Sequence, residues 1–189
     1  MENNLRRLSL ERLIKFVKMN VLNNNNLTFS NTFDFRNNFS NELQRFSIKK
    51  NANLDYGRYL VHEQKEFSIQ LDVFSNNYEG SIHSHGTWGL VGILNGSLFI
   101  DDWQNDNGKF IQLRASYLSK GSNTIFFKES DWHKVKSPNN NELTLSIQIY
   151  GPNYDMDNGF KLDEEFNIVP YKRSSFKDIS KVEDILIER

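Results

Sequence analysis

The chain contains four histidines, and three of them fall in an arrangement that could do chemistry. His83 and His85 are separated by one residue inside Ser81-Ile82-His83-Ser84-His85-Gly86. On an extended segment, positions i and i+2 point to the same face, so the two imidazoles converge. His133 follows in a second strand-like segment, Asp131-Trp132-His133-Lys134-Val135. Neutral imidazole is the commonest nitrogen ligand, and three of them can hold one face of a metal while leaving the rest open. The competing reading of a bare His-x-His pair is two unrelated core or surface histidines. Cysteine is absent. That excludes disulfides, thiolate-held zinc, iron–sulfur clusters and a cysteine nucleophile, so any metal must sit on nitrogen or oxygen. The fourth histidine, His62, is read as a supporting or surface residue and not as a ligand.

Positioning these groups falls to a β-rich middle section. Leu5, Leu8, Leu13, Phe16 and Val17 recur at helical spacing over residues 4–22, with basic residues between them. A second helix is expected over 31–46, with Phe33, Phe35, Phe39, Leu43 and Phe46 near one face. From Tyr59 onward, the segments 67–74, 89–93, 97–101, 111–118, 123–127 and 143–150 are short, rich in β-branched and aromatic residues, and bounded by turn formers. Helices followed by many short strands predict a mainly β fold, a small sandwich or barrel with a helical cap. Neither a repeat nor a composition break divides the chain. Residues 1–189 are therefore read as one domain: a cap over about 1–50, a barrel over about 54–156, and a tail over about 157–189 that wraps the barrel or hangs loose.

With 23 Lys and Arg against 24 Asp and Glu, the net charge of −1 gives no electrostatic case for nucleic acid or an anionic membrane as partner. No apolar run reaches the length of a membrane span, and the N-terminal residues do not read as a secretory leader, so a cytoplasmic protein is expected. A monomer and a homodimer are both left open. The asparagine runs 23–26 and 139–141 favour turns and carry no functional weight.

The glycines around the histidines strengthen the metal reading. Gly89 and Gly96 follow His85 at the spacing of the first cupin motif, with Gly89 standing where that motif usually has a glutamate ligand. Gly121 precedes His133 at the distance of the second motif, although that motif's internal Pro and Gly are missing. A cupin double-stranded β-helix, or jelly-roll barrel, with N-terminal α-helices is thus expected. A three-histidine site is neutral, so a divalent ion keeps its full charge and attracts an anionic ligand such as a thiolate.

Over about residues 54–156 the chain resembles the cysteine dioxygenase family, the thiol dioxygenases of the cupin superfamily. The resemblance is carried by Tyr56-Gly57-Arg58-Tyr59-Leu60-Val61, by Ile82-His83-Ser84-His85-Gly86-Thr87-Trp88-Gly89-Leu90-Val91-Gly92, by Trp132-His133-Lys134-Val135, and by Leu145-Ser146-Ile147-Gln148-Ile149-Tyr150-Gly151-Pro152. It implies Fe(2+) on His83, His85 and His133, with Arg58 holding a substrate carboxylate. It also implies a catalytic Tyr150 supported by Ser146 and Gln148, and substrate contacts from Tyr56. The implied reaction takes a small thiol and O2 to a sulfinate, with L-cysteine favoured and 3-mercaptopropionate close behind.

The residues agree where they can be read alone. Arg58 is a planar fork suited to carboxylate, its alternative being an ordinary structural arginine. Ser146, Gln148 and Tyr150 share a strand face; either this row or Ile147 and Ile149 faces the interior. Trp88 either walls the pocket or packs in the core. Tyr154 and Met156 are candidates for the pocket mouth. Two departures stand out: Gln148 replaces the histidine usual in cysteine-specific members, and without cysteine the family's cysteine–tyrosine crosslink cannot form. Two other functions remain: a non-catalytic cupin binding a metal or small ligand, and a three-histidine cupin oxygenase acting on a non-thiol substrate.

Overall fold

The computed structural model describes residues 2–22, 29–48, 56–122, 124–128, 130–138, 142–152, 159–171, 175–178 and 186–188. Two helices lead the chain, α1 (Glu2–Leu22) and α2 (Phe29–Leu43). Leu10, Leu13, Val17 and Val21 of α1 and Phe35, Phe39 and Leu43 of α2 are buried at spacings of three and four, as the apolar stripes predict. Phe33 was expected on the same face but is exposed, because the buried stripe runs through Thr32, Phe35, Phe39 and Leu43, and Phe33 is turned about 100° from Thr32 around the helix.

Fourteen strands follow among the described residues: β1 (Phe46–Ile48), β2 (Gly57–Glu63), β3 (Ser68–Phe74), β4 (His83–Ser84), β5 (Gly89–Asn95), β6 (Ser97–Asp106), β7 (Lys109–Ser119), β8 (Ile125–Phe127), β9 (Trp132–Lys136), β10 (Thr144–Tyr150), β11 (Phe160–Leu162), β12 (Ile168–Pro170), β13 (Phe176–Lys177) and β14 (Leu186–Glu188). They form two six-stranded sheets, ordered β13-β2-β3-β10-β5-β8 and β12-β11-β4-β9-β6-β7, and a small pair β1-β14. All pairings are antiparallel except that of β13 with β2. The tail therefore wraps the barrel: β11 and β12 extend one sheet, β13 edges the other, and β14 pairs with β1 under α1.

Each face of the first sheet has its own core. Tyr59, Ile69, Leu71, Leu90, Ile147 and Ile149 cluster with the buried residues of both helices. On the opposite face, Phe74, Val91 and Ile93 pack with Leu98, Ile100, Leu118 and Phe127 between the two sheets. Both sides of β10 are consequently buried, along its whole length. The choice between Ser146, Gln148 and Tyr150 inside and Ile147 and Ile149 inside dissolves: the polar row faces the barrel, and the isoleucines face the helical cap.

Two glycines make this packing possible. At Gly96 the chain leaves β5 for β6 in the other sheet with a φ of 69°, and a Cβ there would lie 2.6 Å from Thr144 Oγ1. At Gly92 a Cβ would lie 2.2 Å from Leu43 Cδ1, so the bare backbone is what lets the end of α2 settle on β5.

Candidate metal centre

His83 lies in β4 and pairs directly with His133 in β9, while His85 sits one residue past the end of β4. Two elements thus bring three imidazoles together. Ring centroids are 4.8 Å apart for His83 and His85, 4.4 Å for His83 and His133, and 4.8 Å for His85 and His133. One nitrogen from each ring lies within 4.8 Å of the others, and all three side chains are buried.

The donor set suits a cation. His83 Nδ1 lies 2.9 Å from the Ser81 carbonyl oxygen. A carbonyl can only accept, so Nδ1 carries the proton and Nε2 keeps its lone pair for a metal. His85 Nε2 and His133 Nε2 face each other at 3.0 Å. Two buried ring nitrogens at that distance need a shared proton or a shared cation, and the third nitrogen nearby favours the cation. Three nitrogens without a carboxylate fit a borderline divalent metal such as iron, zinc, copper or nickel. Behind the ligands, Phe127 stacks on His133 at 4.0 Å and Tyr171 packs on His83 at 4.9 Å.

Around this cluster lies a pocket of about 210 Å³, lined by the three histidines together with Tyr56, Arg58, Asp72, Tyr78, Gln148, Tyr150 and Tyr171 among others. That volume suits a metabolite smaller than a typical drug. Tyr150 is 2% exposed; its hydroxyl donates to Gln148 Oε1 and lies 3.5 Å from His85 Nε2. Gln148 Nε2 donates in turn to Ser146 Oγ at 3.1 Å. An amide placed this way holds the tyrosine hydroxyl without changing charge. Gly89 pairs with Tyr150 across the sheet, and a Cβ at Gly89 would lie 2.9 Å from Tyr150 Cε1. The tyrosine ring occupies the space into which a side chain at position 89 would point, which leaves no room for a carboxylate ligand.

Arg58 enters from β2. Its Nη2 donates to Gln70 Oε1 at 2.8 Å, and Gln70 Nε2 donates to Asp72 Oδ1 at 2.9 Å. The guanidinium sits 4.5 Å from the Phe176 ring centroid, a cation–π contact supplied by β13. Tyr56 and Tyr78 are hydrogen-bonded to each other at the pocket wall, and burial with the nearby Asp72 charge raises both phenols above their ordinary value.

Of the residues expected at the site, His83, His85, His133, Arg58, Tyr56, Gln148 and Tyr150 line one pocket, and Ser146 anchors Gln148 from the same face. Trp88 does not line it. It shares strand parity with Leu90, faces the helical cap and stacks on Phe126 at 6.2 Å, which makes it a core residue. His62 lies away from the metal cluster, contacting Gln64 and Phe67. Tyr154 and Met156 lie outside the described residues. Sequence reasoning missed Gln70, Asp72, Tyr78, Tyr171 and Phe176. For the first two a signal existed: Ser68, Gln70 and Asp72 alternate along β3 just as Ser146, Gln148 and Tyr150 do along β10.

No family model matches the chain. Among solved structures it is similar to an RmlC-like cupin with a double-stranded β-helix fold from Methanocaldococcus jannaschii, at 9% identity over 58% of this chain and 90% of that one, with a TM-score of 0.44. It is also similar to hydroquinone 1,2-dioxygenase from a Sphingomonas species, at 10% identity over 52% and 67%, TM-score 0.43. A further match is to DMSP lyase structures, at 13% identity over 49% of this chain and 42% of that one, TM-score 0.39; the chain spans less than half of that protein's length. The strand order and the inward histidines define a β-sandwich with a three-histidine cluster able to hold a metal ion. No helix among the described residues is long and apolar enough to cross a membrane.

Proposed function

We propose that this protein is an iron-dependent thiol dioxygenase, taking a small carboxylate-bearing thiol and O2 to the sulfinate. One observation carries the reading: a buried three-nitrogen cluster shares a pocket of about 210 Å³ with an arginine and a buried tyrosine, and no carboxylate among the described residues joins the ligand set. His83, His85 and His133 would hold the ferrous ion, whose redox chemistry joins O2 to sulfur so that both oxygen atoms end on the product.

The chain's own residues do the rest. Arg58, held by Gln70 and stacked on Phe176, orients the substrate carboxylate, and fixing that group aims the sulfur at the metal cluster. Tyr150 keeps its hydroxyl next to His85, where it donates a hydrogen bond to the reacting atoms once it turns from Gln148. The apolar wall of Val91, Leu98 and Val135 limits water near the cluster.

The test is oxygen uptake by purified, iron(II)-loaded protein with L-cysteine, 3-mercaptopropionate, cysteamine and a thiol-free control, with mass spectrometry for sulfinate. Uptake matched one to one by sulfinate supports the proposal. Stoichiometric iron without thiol oxidation overturns it and favours a binding cupin. An Arg58→Ala variant with unchanged turnover would remove the carboxylate clamp from this reading.

A further inference from the structure

Four strands end the two large sheets: β13 and β8 in one, β12 and β7 in the other. Among the described residues the first three are two or three residues long, the short kind of edge that offers little to pair with. β7 is different. It runs for eleven residues, pairs among the described strands with β6, and has Leu118 as its one buried side chain. Leu113 is 62% and Tyr117 57% exposed, and Tyr117 packs on Phe99 of β6 with ring centroids 5.0 Å apart. No proline guards β6 or β7. The backbone N–H and C=O groups along such an edge are matched by another extended strand.

The residues of this edge are complementary to themselves. In a two-fold antiparallel pair, each residue faces one whose number makes a constant sum with its own. With Ala115 on the axis, Leu113 of one copy faces Tyr117 of the other, and the contact occurs twice. Arg114 then faces Ser116, and Ile111 faces Ser119. Arg114 is the one charged residue in the stretch 111–119, and its Nε already donates to Asp102 Oδ2 at 2.8 Å. The neighbouring registers are worse. An axis at Arg114 sets guanidinium against guanidinium. An axis at Leu113 falls on a bulge, where Asp102 pairs with Arg114 and Trp103 with Gln112, so that Leu113 has no opposite residue on β6. An axis at Ser116 sets Arg114 against Leu118, whose side chain belongs to the barrel core.

We propose that the free edge of β7 docks a second copy of this chain, giving a two-fold dimer in which the two β7 strands pair antiparallel about Ala115. Each six-stranded sheet then continues into its copy, and Phe99, Tyr117 and Leu113 gain an apolar neighbour across the seam. A strand of eleven residues falls well short of the roughly 20–30 residues a side of a standard interface, so the dimer is reversible, with a Kd of about 1–100 μM. The pairing does not depend on the reaction in the pocket.

The experiment is sedimentation velocity of the full chain, from about tenfold below to about tenfold above that range of Kd. A monomer–dimer equilibrium is expected. Leu113→Glu and Tyr117→Lys should each raise Kd about tenfold or more, since each buries an unpaired charge at the seam. Combined in one chain, the two new charges face each other between copies, and the double variant should dimerise at least about threefold more tightly than either single one. Both positions are exposed, and thermal melts verify that the variants are folded. Crosslinking reads the register directly, because the chain has no cysteine of its own. Facing residues in an antiparallel pair have Cα atoms about 4.5–5.5 Å apart, within reach of a disulfide. Ala115→Cys should therefore crosslink to its copy on mild oxidation, whereas Gln112→Cys, about 20 Å from its copy in this register, should not. A monomer at every concentration, an assembly that grows past the dimer, or a Kd unchanged in both single variants overturns the proposal. So does a double variant no tighter than the single ones, or equal crosslinking at 112 and 115.

Discussion

Replacing Gly89 by alanine tests the packing that shapes the metal centre. A Cβ built at Gly89 lies 2.9 Å from Tyr150 Cε1 and 3.0 Å from Cδ1, closer than real Cβ atoms come to their neighbours. Ordinary contact begins at 3.4 Å, so the ring must retreat by about half an ångström. It has little freedom to do so. The ring packs on His85 with centroids 4.6 Å apart, and its hydroxyl is tied to Gln148 in a side chain that is 2% exposed. Overpacking of this kind costs about 1–3 kcal/mol. For a chain of this size, a cost near 2 kcal/mol lowers Tm by roughly 4–8 °C. The assay is a double-mutant cycle by denaturant unfolding, with Gly89→Ala measured in the wild type and in a Tyr150→Ala background. Once the ring is gone, the added methyl has room, and its cost should fall to within about 0.5 kcal/mol of zero. An equal cost in both backgrounds, or no cost in either, would refute the placement of the Tyr150 ring against Gly89.

Alanine at His83, His85 or His133 should weaken metal binding by more than the roughly 10–100-fold expected for loss of a supporting residue, read as metal content after dialysis. Adding the cognate divalent ion should raise the Tm of wild type and leave the three variants unmoved. Phe176→Ala removes the ring under Arg58, a contact worth about 0.5–1 kcal/mol, and should raise KM for a carboxylate-bearing substrate about two- to fivefold with little change in kcat. A fall in kcat alone would contradict it. The Tyr78 phenol is raised by burial, so its folded value lies above the unfolded value of about 10. Its contribution to stability is complete below pH 10 and is lost as pH rises toward the folded value. Tm should accordingly fall more steeply above pH 10 in wild type than in Tyr78→Phe, and parallel slopes would count against the assignment.

Much of this was legible in the chain. The helical spacing of Leu13 and Val17 and of Phe35 and Phe39, and the short β-branched runs, reflect periods of 3.6 and 2 that follow from backbone geometry alone. His83 and His85 are close in sequence, and His133 stood out because histidine is scarce here. The site's other half was not legible. Tyr171 and Phe176 come from a charged tail whose strands are two or three residues long, too short to show a period. Trp88 gave no sign of its side of the sheet until strand parity placed it with Leu90.

The sequence by itself determined the kinds of element, the restriction of any metal to nitrogen and oxygen ligands that follows from having no cysteine, and the residues able to act as ligands. Local rules suffice for these, since they depend on neighbours within a few positions. Only the tertiary structure decided which strands lie side by side, and with that the opposition of Arg58 to Asp72, the seat of Phe176 under the arginine and the ring of Tyr150 over Gly89. Strand pairing over long sequence distances is settled by the burial of both sheet faces at once, which no single stretch of chain encodes.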